Sequence, residues 1–273
     1  MKNKAAQNLP DYENPPIKEV LCGILFKPIE EMLAPHFGLL WEKFKPEFPN
    51  CQEVAPLFPQ IEFQKVSPKP DFELLNKPPL PRIWFIESTE NGIIQVQRDR
   101  FLYNWRKLHP KDEYPHYHSI LRKFQKYLSV FKAFLDKNKL GTLEPLQYEM
   151  TYLNHILQGN GWETDKDIGK IFTDFSWQAD KQRFLPIPED INWRASFLLP
   201  DGLGRLRLRI QKAQRHEDKH PLILFELIVR GIGKDKSPEA MLAWFDLAHE
   251  WIVSGFADLT GPEIQKSIWR RKQ

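Results

Sequence analysis

The sequence predicts an α+β fold, with antiparallel meander sheets and long amphipathic helices packed on one face, laid out as two similarly ordered halves. Three observations predict it. Short runs alternate apolar and polar residues with period two, most cleanly RLRLRI at 205–210, as half-buried strands do. Turn signals at Asn91-Gly92 and Asp201-Gly202 separate those runs closely enough for hairpins. Two stretches of helical spacing each follow a set of strands: Ile120, Leu121, Phe124, Leu128, Phe131 and Leu135, then Met241, Leu242, Phe245, Ala248, Ile252 and Phe256. Hairpin-linked strands with helices gathered behind them make an antiparallel sheet covered on one side.

In chain order, residues 1–16 are polar and end in Pro15-Pro16, the composition of a loose arm. IKEVLCGILFK then reads as a strand with Val20, Cys22, Ile24 and Phe26 on one face. A helix is expected over about 37–44, with Leu39, Leu40 and Trp41 on a broad apolar face. Residues 45–81 are punctuated by proline and read as a long irregular segment with a short strand at 61–66. A loop of that length in a compact domain is commonly functional. RIWFIEST, a type I′ turn at Asn91-Gly92, IIQVQ and FLYNWRK form the first meander. Pro115 opens a helix to about Asn138, closed by Gly141. LQYEMTYLNHILQ is a strand, and 158–190 is a break holding a short helix and a strand near 175–177. INWRASFLL, RLRLRI and HPLILFELIVRG form the second meander, and Ser237-Pro238 caps a helix running to about Leu259. Gly261-Pro262 stops it, and the large apolar pair Ile268-Trp269 is expected to dock back onto the protein or into a partner. The division is an N-terminal half, 1–157, and a C-terminal half, 158–273, folded as one compact unit.

Composition sets bounds on function. Hydrophobic residues at 41% and charged residues at 27% describe a globular chain, and 19 Phe with 9 Trp can fill an aromatic core. A formal net charge of +3 is too small to imply nucleic-acid binding by itself. Cys22 falls in a strand pattern, Cys51 reads as a loop residue, and neither has zinc-ligand spacing, so no metal site is expected. The first residues carry no apolar signal segment and no run is long enough to span a membrane, which points to the cytoplasm and away from a membrane partner. Dinucleotide, Walker, zinc-protease and hydrolase motifs are missing, so no cofactor and no catalytic residue is assigned, and enzymatic activity is left open.

The polar positions of the strands are the candidate ligand-binding residues. Gln95 and Gln97 share a face, joined on the next strand by Asn104 and Arg106. They read either as the wet face of a sheet, or as a groove offering donors and acceptors to a ligand. Arg205, Arg207 and Arg209 fall on one face of RLRLRI, with Arg194 across the hairpin and Glu226 and Arg230 on the following strand. Arg–Glu pairing explains such a stripe, and so does a surface for single-stranded nucleic acid. The histidines His109, His116, His118, His155 and His249 show no fixed spacing to a nucleophile and read as structural, with His116 and His118 exposed at a helix start.

Four stretches, NPPIKEVLCGILFKP at 14–28, GIIQVQRDRFLYNWRK at 92–107, YPHYHSI at 114–120 and YEMTYLNHI at 148–156, together resemble a sporadically distributed family of uncharacterised bacterial proteins. A last helix with Asp246, His249 and Phe256, followed by Trp269-Arg270, fits the same family, so the resemblance spans about 12–271. It implies a soluble prokaryotic protein and brings no activity or catalytic residue with it. A patchy distribution is common among defence and toxin–antitoxin genes. The expectation is therefore a binding or interaction protein with a protein partner. The alternatives are an enzyme or small-ligand sensor with a polar cavity bounded by the meander strands, and a single-stranded nucleic-acid binder.

Overall fold

The structure is a computed structural model and describes residues 9–63, 80–175, 184–186 and 188–272. The chain begins with β1 (Ile17–Phe26), α1 (Ala34–Phe44) and β2 (Asn50–Val54). The meander β3 (Arg82–Ile86), β4 (Gly92–Gln97) and β5 (Arg100–Arg106) leads to the long helix α2 (His116–Lys137). Then β6 (Pro145–Leu157) and the short α3 (Ile168–Ile171) precede a second meander, β7 (Asn192–Leu198), β8 (Gly204–Gln214) and β9 (Pro221–Gly231). Last come α4 (Pro238–Leu259) and α5 (Pro262–Ser267).

These strands make one antiparallel sheet in the order β2-β3-β4-β5-β1-β6-β9-β8-β7. β1 and β6 pair in the middle, and the meanders run outward on either side, β5 beside β1 and β9 beside β6. α2 lies on β5 and β1, α4 on β6, β9 and β8, and α1 against α2 and β3, so the helices share one face. The alternation in each strand explains this. Val20, Cys22, Ile24 and Phe26 of β1 are all buried on that face, as are Phe101, Tyr103 and Trp105 of β5. Aromatic rings join the layers: Phe101 stacks on Phe131 with centroids 5.2 Å apart, and Phe124 meets Phe245 edge-on at 5.3 Å, tying α2 to α4. Each such side chain contributes on the order of 1.5–3 kcal/mol by leaving water.

Several local expectations need correction. α1 starts at Ala34, with Pro35 in its first turn, and its buried face is Phe37, Leu40 and Phe44; Leu39 points outward. Asn91-Gly92 is not the centre of a type I′ turn. The reversal sits at Glu87–Glu90 with Glu90 left-handed at φ 61°, because the Asn91 amide is committed to Asp112 (2.8 Å) and the Arg106 carbonyl (3.0 Å) while Gly92 is already paired in β4. Cys51 lies in the edge strand β2, not in a loop. Residues 61–63 contain a turn instead of a strand, and 64–66 lie outside the described residues. Phe175 is not in a strand, and 176–177 lie outside the described residues. The arm is anchored from Tyr12, whose ring is buried. Trp269 does dock back: it is 2% exposed, 4.9 Å from the Phe256 ring and edge-on to Tyr12 at 6.3 Å, while its carbonyl accepts from the Asn14 amide.

Candidate functional site: the polar face and its strap

The face away from the helices carries the other half of each alternation. Pairing register sets Trp84, Gln95, Leu102, Gly23, Glu149, Arg230 and Arg205 in one row across the sheet. A β-carbon at Gly23 would meet the tip of Leu102, which lies over β1 and would have to shift.

Gln95 is the hub at one end. It is 5% exposed, and its carboxamide oxygen accepts from Arg82 Nη1 (2.7 Å) and Trp84 Nε1 (3.0 Å). Its nitrogen donates to Asn104 Oδ1 (2.7 Å), and Asn104 in turn donates to the Glu19 carboxylate. Burial pushes the Glu19 carboxyl above its usual range, against the pull of the Asn104 bond. Arg100 forms a buried pair with Asp99, at 3.0 Å.

A strap, residues 55–63, crosses this face. Gln97 grips Leu57 twice, accepting from its N–H (2.9 Å) and donating to its carbonyl (3.0 Å), and Arg100 donates to the same carbonyl (3.0 Å). Gln147 does the same further along, accepting from the Glu62 N–H (2.7 Å) and donating to the Gln60 carbonyl (2.8 Å). Arg230 pairs with Glu149 (2.5 Å) and donates to the Gln60 side chain (2.9 Å). At the far end Arg207 clasps the Glu62 carboxylate through two bonds of 2.6 and 3.0 Å, with Arg205 3.9 Å away.

Beneath the strap lies a cavity of about 330 Å³. Leu21, Leu25 and Leu102 give it an apolar floor, and Arg82, Gln95, Arg100, Gln147, Glu149 and Arg230 line its walls. Arg82 Nε is buried and meets no hydrogen-bond acceptor among the described residues. Burial and the neighbouring Arg100 lower the pKa of Arg82, the signature of a cation in a poor environment for charge.

The sequence-predicted residues thus divide. Gln95 lines the cavity, Gln97 holds the strap, and Asn104 stands behind Gln95. Arg106 lies at the margin, donating to the Glu90 carbonyl (2.8 Å) of the β3–β4 turn. Arg205 and Arg207 are engaged with Glu62, so the arginine stripe is not a bare one. Arg209 donates to Gln211 and faces Glu226 and the exposed Arg194 in register, with its own Nε buried and lacking an acceptor among the described residues. Sequence reasoning missed Arg82, Arg100 and Gln147. Arg100 was within reach, two residues before Leu102 on the Asn104 face; Arg82 and Gln147 sit at strand starts, where alternation is shortest. Glu62 carried no signal at all.

The histidines are dispersed. His116 and His118 are exposed, as expected at their helix start. His155 is held to a pKa of about 4 mainly by burial. His249 stacks on Tyr117, centroids 4.0 Å apart, beside the bond from Tyr117 to Asp246 (2.8 Å), and burial holds it at about 4 as well. Among the described residues, no helix is long and apolar enough to cross a membrane. No protein-family model matches the chain, and no curated protein matches it.

Proposed function

We propose that the protein is a binding module whose polar face takes a small organic anion in the cavity beneath the strap. One observation carries this reading: Arg82 is a shielded cation with a buried, unsatisfied Nε and no carboxylate partner among the described residues. Arg100 and Arg230 have carboxylates in Asp99 and Glu149, whereas Arg82 has none among the described residues. A guanidinium at the wall of a cavity without a carboxylate partner is stabilised by an anion bound beside it. The cavity, about 330 Å³, falls at the lower end of small-molecule sites, and its leucine floor suits a short hydrocarbon body. The role is that of a small-ligand sensor.

The test is a thermal-shift series with phosphate, acetate, succinate and glycerol 3-phosphate. A ligand at ten times its Kd should stabilise the native protein by about 1.4 kcal/mol, and Arg82→Gln should abolish the shift. No shift with any of them, or an equal shift in Arg82→Gln, refutes the reading.

A protein partner is the second reading. A groove of about 560 Å³ between α4 and the outer strands is lined by Phe197, Leu206, Leu208 and Trp251, and Phe197 remains 45% exposed. Nucleic-acid binding draws less support, because Arg205 and Arg207 are already engaged by Glu62. The cytoplasm fits two cysteines that do not pair, one buried and one exposed. A place in a defence or toxin–antitoxin locus is supported by the sequence resemblance alone.

A further inference from the structure

We infer that the polar face is a docking surface for an extended acidic peptide of a partner protein, which takes the place that residues 55–63 of the chain itself occupy here. The inference does not rest on the anion cavity, since Arg82 makes none of the contacts that hold the strap.

The contacts divide by what they recognise. The Gln97 carboxamide offers one acceptor and one donor to the N–H and carbonyl of a single residue, Leu57, as the edge of a β-strand would. Gln147 repeats the pattern on the Glu62 N–H and the Gln60 carbonyl. These two clamps recognise main chain and are indifferent to side chains. The strap's one charged side chain is recognised by charge and geometry: the Glu62 carboxylate, 4% exposed, in the planar fork of Arg207. Arg205, Arg209 and Arg194 add positive charge around that end.

Apolar burial does little to fix the strap in place, with only Pro56 and Ile61 of its apolar residues half-buried. Leu57, Phe58 and Phe63 are 38%, 73% and 57% exposed. Polar contacts exchange with water at little net cost, so a segment held by them is replaceable. Pro56 and Pro59 bias Ala55 and Phe58 to extended backbone, which lowers the ordering cost for this segment and for any peptide like it. The partner peptide is therefore proline-punctuated and extended, with a glutamate or aspartate five residues after the main chain held by Gln97.

Because the tethered strap competes at an effective concentration of roughly millimolar, the test weakens it first. A fluorescent peptide of residues 55–63, APLFPQIEF, is titrated by anisotropy into the full chain carrying Glu62→Ala, and into a full chain whose residues 57–62 are replaced by a Gly-Ser run of equal length. Both should bind it saturably, at least tenfold more tightly than the unaltered chain does. A peptide with Gln in place of the glutamate should bind at least tenfold more weakly, as should the double variant Glu62→Ala with Arg207→Ala. Circular dichroism and a cooperative melt establish that each chain is folded; if the Gly-Ser chain is not, Glu62→Ala decides alone. A folded variant that fails to bind up to millimolar peptide overturns the inference, and so does binding indifferent to the carboxylate. Repeating the titration with Arg82→Gln added separates the two proposals: peptide binding should persist where the anion response is lost.

Discussion

The helix-covered face and the strapped face are built from the same strands, residue by alternate residue, yet they are held by different physics. Under the helices, Phe26, Phe101, Phe124 and Phe131 pack ring to ring, and each contact is backed by several others. On the strapped face, individual side chains have individual partners: Gln95 satisfies three groups, Gln97 holds one residue, and Arg207 holds one carboxylate. Apolar packing is non-directional and redundant, so it stabilises without specifying what lies on top. A polar network is directional, so it specifies an occupant while adding little net stability.

Substitutions on the two faces should separate in size. Phe101→Ala removes a fully buried ring stacked on Phe131 and should destabilise by about 3–5 kcal/mol in urea unfolding, the cost of a large core cavity. A loss below about 1 kcal/mol would mean that the helices do not rely on this layer. Gln95→Leu leaves Arg82 Nη1, Trp84 Nε1 and Asn104 Oδ1 without their partner in a buried site. It should cost about 1–3 kcal/mol with the helix content by circular dichroism unchanged. A neutral result would show that the network is no more than a solvated surface.

Acid should act in opposite directions on the buried histidines, His155 on the polar face and His249 on the helix side, and on the buried carboxyls of the polar face. His249, on the helix side, is held at about 4, below its ordinary 6.5. The unfolded chain therefore takes up a proton that the native protein refuses, and stability falls as pH drops from 6.5 toward 4. By pH 5.5 that amounts to roughly 1 kcal/mol, and His249→Phe should remove it from the pH dependence of Tm. Glu19 and Glu226, on the polar face, have carboxyls raised above their usual range by burial. Their contribution is fully present below the ordinary carboxylate pKa and is lost as pH rises through the raised one, so they cushion the acid loss. Glu19→Gln should steepen the decline that His249→Phe flattens; the same response in both variants would contradict the assignment.

The strands that read most clearly in the sequence are those whose alternation is long. The readings of β8 and of Val20, Cys22, Ile24 and Phe26 in β1 put those side chains on their observed face, because a period of two has only two phases and burial fixes one. The two long helices were legible for the same reason at a period near 3.6. β2 escaped notice because its side chains are nearly all exposed and carry no pattern. The site was half legible. Gln95, Gln97 and Asn104 stood out as polar residues inside apolar strands, but alternation says nothing of what crosses a face. The strap lies far from its partners in sequence, Glu62 from Arg207 by 145 residues, and its contacts depend on the finished sheet.

The return of the tail to the start of the chain has a consequence for biosynthesis. Asn14 bonds to the Ile268 carbonyl across 254 residues, and Tyr12 bridges to Arg271. At roughly 5–20 residues per second, that separation is on the order of tens of seconds on the ribosome. β1 can close between β5 and β6 well before then, so the central strands can assemble during translation. The aromatic patch of Tyr12, Phe256 and Trp269 cannot, and until residues 264–271 emerge the nascent protein shows Phe256 and Tyr12 to whatever chaperone is nearby.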